Sequence, residues 1–240
     1  MIVGWAERMA SAIIFDFDGV IADSEVLSNT VLAEIVSELG VPTTVEDAYR
    51  DYMGKRFNDV IDAIEKTIGR ALPPSFAAQY QDRTLQRFRR ELTPIAGARD
   101  FIVKFVELPR CIASSSSPDR LALCLEVLQM TDLFEDRVFS ASNVARGKPH
   151  PDIFLHAASQ IGVPACECIV IEDSASGVLA GRAAGATVIG LLAAGHIRDG
   201  HAETLKRAGA HHIAADYGEI EQIVRGLLPG SGRSNLNSGV

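Results

Sequence analysis

The chain has 240 residues, 47% of them hydrophobic and 22% charged, with a formal net charge of −8 and a mean hydropathy of +0.13. That is enough apolar material for a large core, as one domain or a domain with an insertion, and the acidic balance argues against nucleic acid as the main partner. No apolar run approaches the length of a bilayer span, and Met1 to Met9 lacks a basic start followed by an apolar core, so neither a signal peptide nor a membrane partner is expected and the cytoplasm is the expected compartment.

Ala12 to Phe15 is a short apolar run that reads as a buried strand. Asp16 and Asp18 follow it, with Gly19 behind them. Residues two apart on a strand share a face, so the two carboxylates project together where the chain turns. Like charges held that close need a compensating cation or proton. The arrangement suits a hard-cation site with a carboxylate nucleophile better than it suits a solvated loop exit. Ser24 is placed to cap a helix running to about Leu39, whose apolar stripe includes Val31, Leu32, Ile35 and Val36. Residues 44 to 92 read as helical throughout, broken at Pro73-Pro74. An all-helical block soon after the first strand reads as a cap inserted into an α/β core.

Charge supports that division. Residues 50 to 90 hold nine Lys or Arg and five Asp or Glu, a net of +4, so the remainder carries −12. Arg83, Arg87 and Arg90 fall near one helical face and read as a solvated basic face. Lys55 and Arg56 follow Gly54 at a break between helices, where a movable cap could present two cations to an anionic substrate.

From Thr93 the pattern returns to alternation. A helix is expected over Asp100 to Glu107 and a strand over Arg110 to Ala113, leading into Ser114-Ser115-Ser116-Ser117-Pro118. Pro118 suits the first turn of the next helix, and a strand, hydroxyl-rich turn and helix N-terminus together make an anion cradle. Val138 to Ser140 reads as a third strand. Lys148 then sits between Gly147 and Pro149, in a rigid turn. Cys168 to Ile171 reads as a fourth strand ending in the acidic pair Glu172-Asp173, followed by a helix rich in small residues. Thr187 to Leu191 and His211 to Ala214 complete six strands, and the Gly-, Ser- and Asn-rich stretch 230–240 reads as a disordered tail. Cys111, Cys124, Cys166 and Cys168 read as structural, since Cys166-Glu-Cys168 has no second pair to complete a metal site.

Four stretches, in order, carry a family resemblance. Asp16-Phe-Asp-Gly-Val-Ile-Ala-Asp-Ser-Glu25 resembles the first motif of the haloacid dehalogenase-like hydrolases, in the form found among small-molecule phosphatases and β-phosphoglucomutase-like enzymes. Ser114 matches the second motif, with the Ser115 N–H beside it. Lys148-Pro-His-Pro-Asp-Ile-Phe154 resembles the third and Glu172-Asp173 the fourth. The resemblance covers roughly residues 11 to 227. It implies a Rossmann-like, doubly wound parallel α/β sheet with an inserted all-helical cap. The core would comprise 1–26 and 94–229 and the cap 27–93.

The resemblance further implies phosphoryl transfer to Asp16 from a small phosphorylated metabolite, either a sugar phosphate or a phosphorylated organic acid. Asp18 would serve as acid and then base, and Ser114, Ser115 and Lys148 would bind the phosphoryl group. Mg²⁺ would be held by the Asp16 carboxylate, the Asp18 main-chain carbonyl and Asp173, with Glu172 assisting. Water is the expected acceptor. Similar mutases carry a His ten residues after the second motif Asp, where this chain has Ser28, and an Arg three places after the cap-loop Gly, where this chain has Arg56 two places after Gly54. A 2-haloacid dehalogenase would need neither metal nor a second Asp, and a non-enzymatic binding protein on this fold would be expected to have lost a motif. Oligomeric state is left open.

Overall fold

The computed structural model describes residues 10–52 and 57–228. Six parallel strands form one sheet: β1 (Ala12–Phe15), β2 (Arg110–Ser114), β3 (Val138–Ser140), β4 (Cys168–Glu172), β5 (Thr187–Leu191) and β6 (His212–Ala214). Their order across the sheet is β3-β2-β1-β4-β5-β6. β1 pairs with β2 on one side, Ile14 opposite Cys111, and with β4 on the other, Phe15 opposite Ile171. The chain therefore winds outward in both directions from β1, and the crevice at its carboxyl end is where such sheets bind ligands.

The strands are apolar through their middles, with polar residues at some of their ends, because helices cover both faces. Side chains alternate along β1 accordingly. Ile13 and Phe15 join a cluster with Phe101, Phe134 and Tyr217, while Ala12 and Ile14 join one with Phe154, Val170 and Val178 on the opposite face. Phe15 meets Phe101 and Phe134 edge-on at centroid distances of 6.1 and 5.9 Å.

Four helices follow β1: α1 (Ser24–Glu38), α2 (Val45–Asp51), α3 (Phe57–Ile68) and α4 (Phe76–Glu91). They enclose a separate cluster built from Val31, Leu32, Val36, Ala48, Val60, Ile64 and Phe76. The far end of α4 is different: Phe88 and Leu92 are buried in the cluster of the sheet. Thr44 caps α2 reciprocally with Asp47.

The helices between the later strands are α5 (Ala98–Lys104), α6 (Pro118–Val127), α7 (Thr131–Phe134), α8 (Asp152–Gln160), α9 (Ala175–Ala183), α10 (His201–Ala208) and α11 (Tyr217–Leu227). Two expectations change. Ser24 is the first residue of α1 and not its cap: Asp23 precedes the helix, and the Ser24 hydroxyl donates to Asp18 instead. Arg83 and Arg87 do not form a solvated basic face. Arg83 lies 2.7 Å from Glu38, and Arg87 lies 2.8 Å from Glu34, so both tie α4 to α1. Sequence spacing put them on one helical face but could not show that α1 presents acidic residues to it. Cys168 is buried, its Sγ 3.4 Å from the Pro164 carbonyl oxygen.

Candidate active site

Every matched motif within the described residues ends at the same edge of the sheet. Asp16 and Asp18 follow β1, Ser114 ends β2, Glu172 ends β4 and Asp173 follows it. Lys148 comes from the loop before α8. All but Glu172 line a cavity of about 760 Å³ whose opposite wall is made by Ser28, Leu32, Tyr52, Phe57, Val60 and Tyr80 from the helical block. Ser115, Ser116, Ser174 and Ser176 add hydroxyls to its floor. Lys55 and Arg56 lie outside the described residues.

Lys148 is the hinge of the electrostatics. Its Nζ lies 2.6 Å from Asp16 Oδ1 and 2.7 Å from Glu172 Oε1, with only 5% of the side chain exposed. Burial alone would lower the Lys148 pKa, but the two carboxylates outweigh it and raise it, so the ammonium is retained. The other oxygen of Glu172 accepts from the Asp173 and Ser174 amides, at 3.1 and 3.0 Å, and from the Ser174 hydroxyl. Glu172 thus fixes Lys148 and the start of α9 together.

One cation does not balance the site. Carboxylate oxygens of Asp16, Glu172 and Asp173 lie within 4.8 Å of one another, and all three residues are buried. Burial pushes Asp16 well above the usual carboxylate range; Lys148 opposes this, while Glu172, Asp173 and Asp18 add to it. Burial likewise raises Asp173, against a hydrogen bond from His196. A cluster of hard oxygen donors carrying surplus negative charge fits a divalent cation. Gly19 makes the close approach possible. It sits at φ +76°, and a Cβ there would lie 1.8 Å from Asp173 Oδ2.

Asp18 has different surroundings. Its Oδ1 accepts from the Ser24 hydroxyl and from Arg120 Nη2 at 2.6 Å, and its Oδ2 accepts from Ser116 Oγ at 2.6 Å. Burial would raise its pKa, but Arg120 and the two hydroxyls prevail and hold it below the ordinary value. Asp16 and Asp18 therefore differ in environment although they are two residues apart.

Ser114 is fully buried and its Oγ accepts from the Ser116 amide at 3.0 Å. Ser115 is exposed at the cavity floor. Sequence reading passed over Ser116, Arg120, His196 and His201. His196 Nε2 lies 3.3 Å from Asp173 Oδ2, and His201 Nε2 lies 2.6 Å from the Asp173 carbonyl oxygen. Ser116 was visible in the hydroxyl-rich turn. Arg120 and the two histidines belong to no local pattern and meet the site only through the fold.

Comparison with known proteins identifies the family. Residues 13–191 match the model of the family described as haloacid dehalogenase-like hydrolase. The chain is 28% identical to the 6-phosphogluconate phosphatase of Escherichia coli K12, over 77% of this chain and 84% of the relative. It is 27% identical to hexitol phosphatase B of the same organism, over 74% and 81%. A solved HAD family hydrolase from Deinococcus radiodurans R1, with bound phosphate and sodium, is 33% identical and superposes with a TM-score of 0.79 over 92% of this chain and 99% of that one. With the family model spanning most of the chain and the acidic cluster at the edge of its sheet, the chain belongs to the haloacid dehalogenase-like hydrolases, among relatives that are phosphoric monoester hydrolases.

Proposed function

We propose that the protein is a Mg²⁺-dependent phosphatase acting on a small phosphorylated metabolite, a sugar phosphate or a phosphorylated organic acid, through an aspartyl-phosphate on Asp16. The observation that carries this reading is the convergence, at the carboxyl edge of the sheet, of the buried Asp16–Lys148 pair with the carboxylates of Glu172 and Asp173.

Asp16 attacks phosphorus in line, and the leaving oxygen takes a proton from Asp18, which must take that proton up with the substrate before it can give it. Asp18 then accepts a proton from the water that hydrolyses the intermediate. Ser114, the Ser115 amide and Lys148 neutralise the phosphoryl oxygens. Mg²⁺, held by the Asp16 carboxylate, the Asp18 main-chain carbonyl and Asp173 with Glu172 beside them, would supply charge neutralisation and orientation when bound. The block 27–93 acts as a cap on the core of 1–26 and 94–229, excluding water and reading the leaving group. Tyr52 and Phe57 line the cavity; Lys55 and Arg56 lie between them in sequence and are proposed to contact the substrate. The relatives' names, a phosphorylated sugar acid and a phosphorylated hexitol, support the substrate class.

The test is a screen of sugar phosphates and phosphorylated organic acids for phosphate release, with and without Mg²⁺. Asp16→Asn is expected to lose at least ~10³-fold in turnover, as removal of a covalent nucleophile does. Full activity of that variant, or of the parent in excess chelator, would refute the mechanism.

A further inference from the structure

We propose that Arg120 is a positioning residue for Asp18, required for the second half of the reaction, in which the phosphorylated Asp16 is hydrolysed. The inference rests on the reaction scheme proposed above.

Arg120 stands at the third position of α6, outside the four motifs. Its Nη2 is 2.6 Å from Asp18 Oδ1. The guanidinium carbon lies 4.9 Å from the centre of the Phe88 ring, so Phe88 and Asp18 together locate the planar group. Phe88 belongs to α4, the last helix of the block over the cavity, and is fully buried. The Arg120 Nε is buried without a hydrogen-bond partner among the described residues, so the ring and the Asp18 carboxylate hold the guanidinium, with the charge of Glu25 also acting on it. Arg120 also lines the cavity.

The arrangement restricts Asp18. A carboxylate offers about four acceptor positions, and Ser24, Arg120 and Ser116 occupy three of them. One position is left for a water or a leaving group. The two serines are neutral donors on short, rotatable side chains. Arg120 is the charged donor, and its direction is set by packing against another element. Without it, the carboxylate can turn about its last bond, and the direction of the remaining acceptor is lost.

In the hydrolytic step, a water oxygen bonds to phosphorus as the bond from phosphorus to the Asp16 oxygen breaks. The water proton passes to Asp18, leaving inorganic phosphate and a free Asp16 carboxylate. That step depends on the aim of Asp18 whatever the substrate. The first step does not when the leaving group departs without a proton, as nitrophenolate does. p-Nitrophenyl phosphate therefore separates the two halves.

The experiment follows p-nitrophenol release by the Mg²⁺-loaded full chain in stopped flow, with acid-quenched phosphoenzyme measured in parallel, for the parent, R120M and R120K. R120M is expected to release a burst approaching one equivalent per enzyme. The steady phase that follows should be slower by on the order of 10- to 100-fold, the cost of a misaimed catalytic group, and R120K should recover part of it. A purely structural role for Arg120 would shrink burst and steady rate together. That result, or parental kinetics in R120M, overturns the proposal. Where R120M does not fold, R120K decides: a slowed second phase with a burst amplitude at or above the parental one supports the assignment, and unchanged phases or a shrunken burst reject it. Absence of phosphoenzyme from both parent and R120M refutes the underlying reaction scheme and the proposal with it, whereas a phosphoenzyme formed and hydrolysed equally by parent and R120M refutes only the role of Arg120.

Discussion

Lys148 reaches Asp16 and Glu172 with one ammonium, at 2.6 and 2.7 Å, and all three side chains are buried. Removing it leaves two carboxylates uncompensated, which costs far more than an exposed ion pair would. Lys148→Met is therefore expected to destabilise the metal-free protein by about 3–5 kcal/mol, read from urea unfolding in chelator. Mg²⁺ should restore part of that loss, because a cation can replace the missing charge. Protonation competes with the metal at the same residues. Asp16 and Asp173 have raised pKa values in the fold, so the stability they gain by protonation is full below their unfolded values and lost as pH rises through the folded ones. Asp18 is depressed and runs the other way, contributing above its unfolded value and losing that contribution as pH falls through the folded one. The Mg²⁺-induced rise in Tm should consequently be small near the ordinary carboxylate pKa and grow as pH passes the raised value of Asp16. At a Mg²⁺ concentration 100 times Kd it should reach roughly 5–10 °C. A pH-independent rise, or the same rise in Asp16→Asn, would show that the metal binds elsewhere.

At the scale of elements, α9 is shaped around Glu172. Ser174 caps the helix, donating its hydroxyl to Glu172 and accepting from the Gly177 amide. A Cβ at Gly177 would lie 1.6 Å from Glu172 Oε1, the oxygen that holds Lys148. Glu172 cannot simply rotate away, since its other oxygen is engaged by the Asp173 and Ser174 amides. Gly177→Ala should thus cost about 1–3 kcal/mol by overpacking and weaken Mg²⁺ binding as well. Thermal unfolding and a Mg²⁺ titration of the same variant check both. A neutral effect on both would mean that α9 shifts outward to accommodate the methyl. On the other side of the cavity, Arg83 and Arg87 bind α4 to Glu34 and Glu38 of α1. These half-exposed ion pairs set orientation between the two helices more than they add stability.

For the whole molecule, the open choice is the acceptor of the phosphoryl group. The resemblance implies the same core groups for hydrolysis and for mutation of a sugar phosphate. Ser28 is buried in the helical wall of the cavity, at the position where the family resemblance implies a His in mutases. A serine has no charged or basic form near neutral pH to gate acid–base alignment. Incubation with β-glucose 1-phosphate should accordingly yield inorganic phosphate, or nothing, with no accumulation of glucose 6-phosphate. Rapid isomerisation with little phosphate release would reassign the protein to the mutases.

The sequence alone determined the α/β class and the six strands to within a residue or two, and its family resemblance singled out Asp16, Asp18, Ser114, Lys148, Glu172 and Asp173, which the fold brings together. Five of them were legible as charged or hydroxyl residues where an apolar run ends, and Lys148 as a cation in a rigid turn before α8, with the resemblance supplying their roles. Parallel strands point their carboxyl ends the same way, so order in the chain was enough to bring them to one edge. Tertiary structure decided the rest. Whether Ser24 caps a helix or donates to Asp18, and whether Arg83 and Arg87 face water or α1, depends on residues that spacing does not connect. Arg120 meets Asp18 across 102 positions and Phe88 across the packing of α4 on α6, and His196 reaches Asp173 from the loop beyond β5. Hydrophobic periodicity and local turn chemistry are short-range signals, whereas the partner of a buried charge is fixed by which elements pack together.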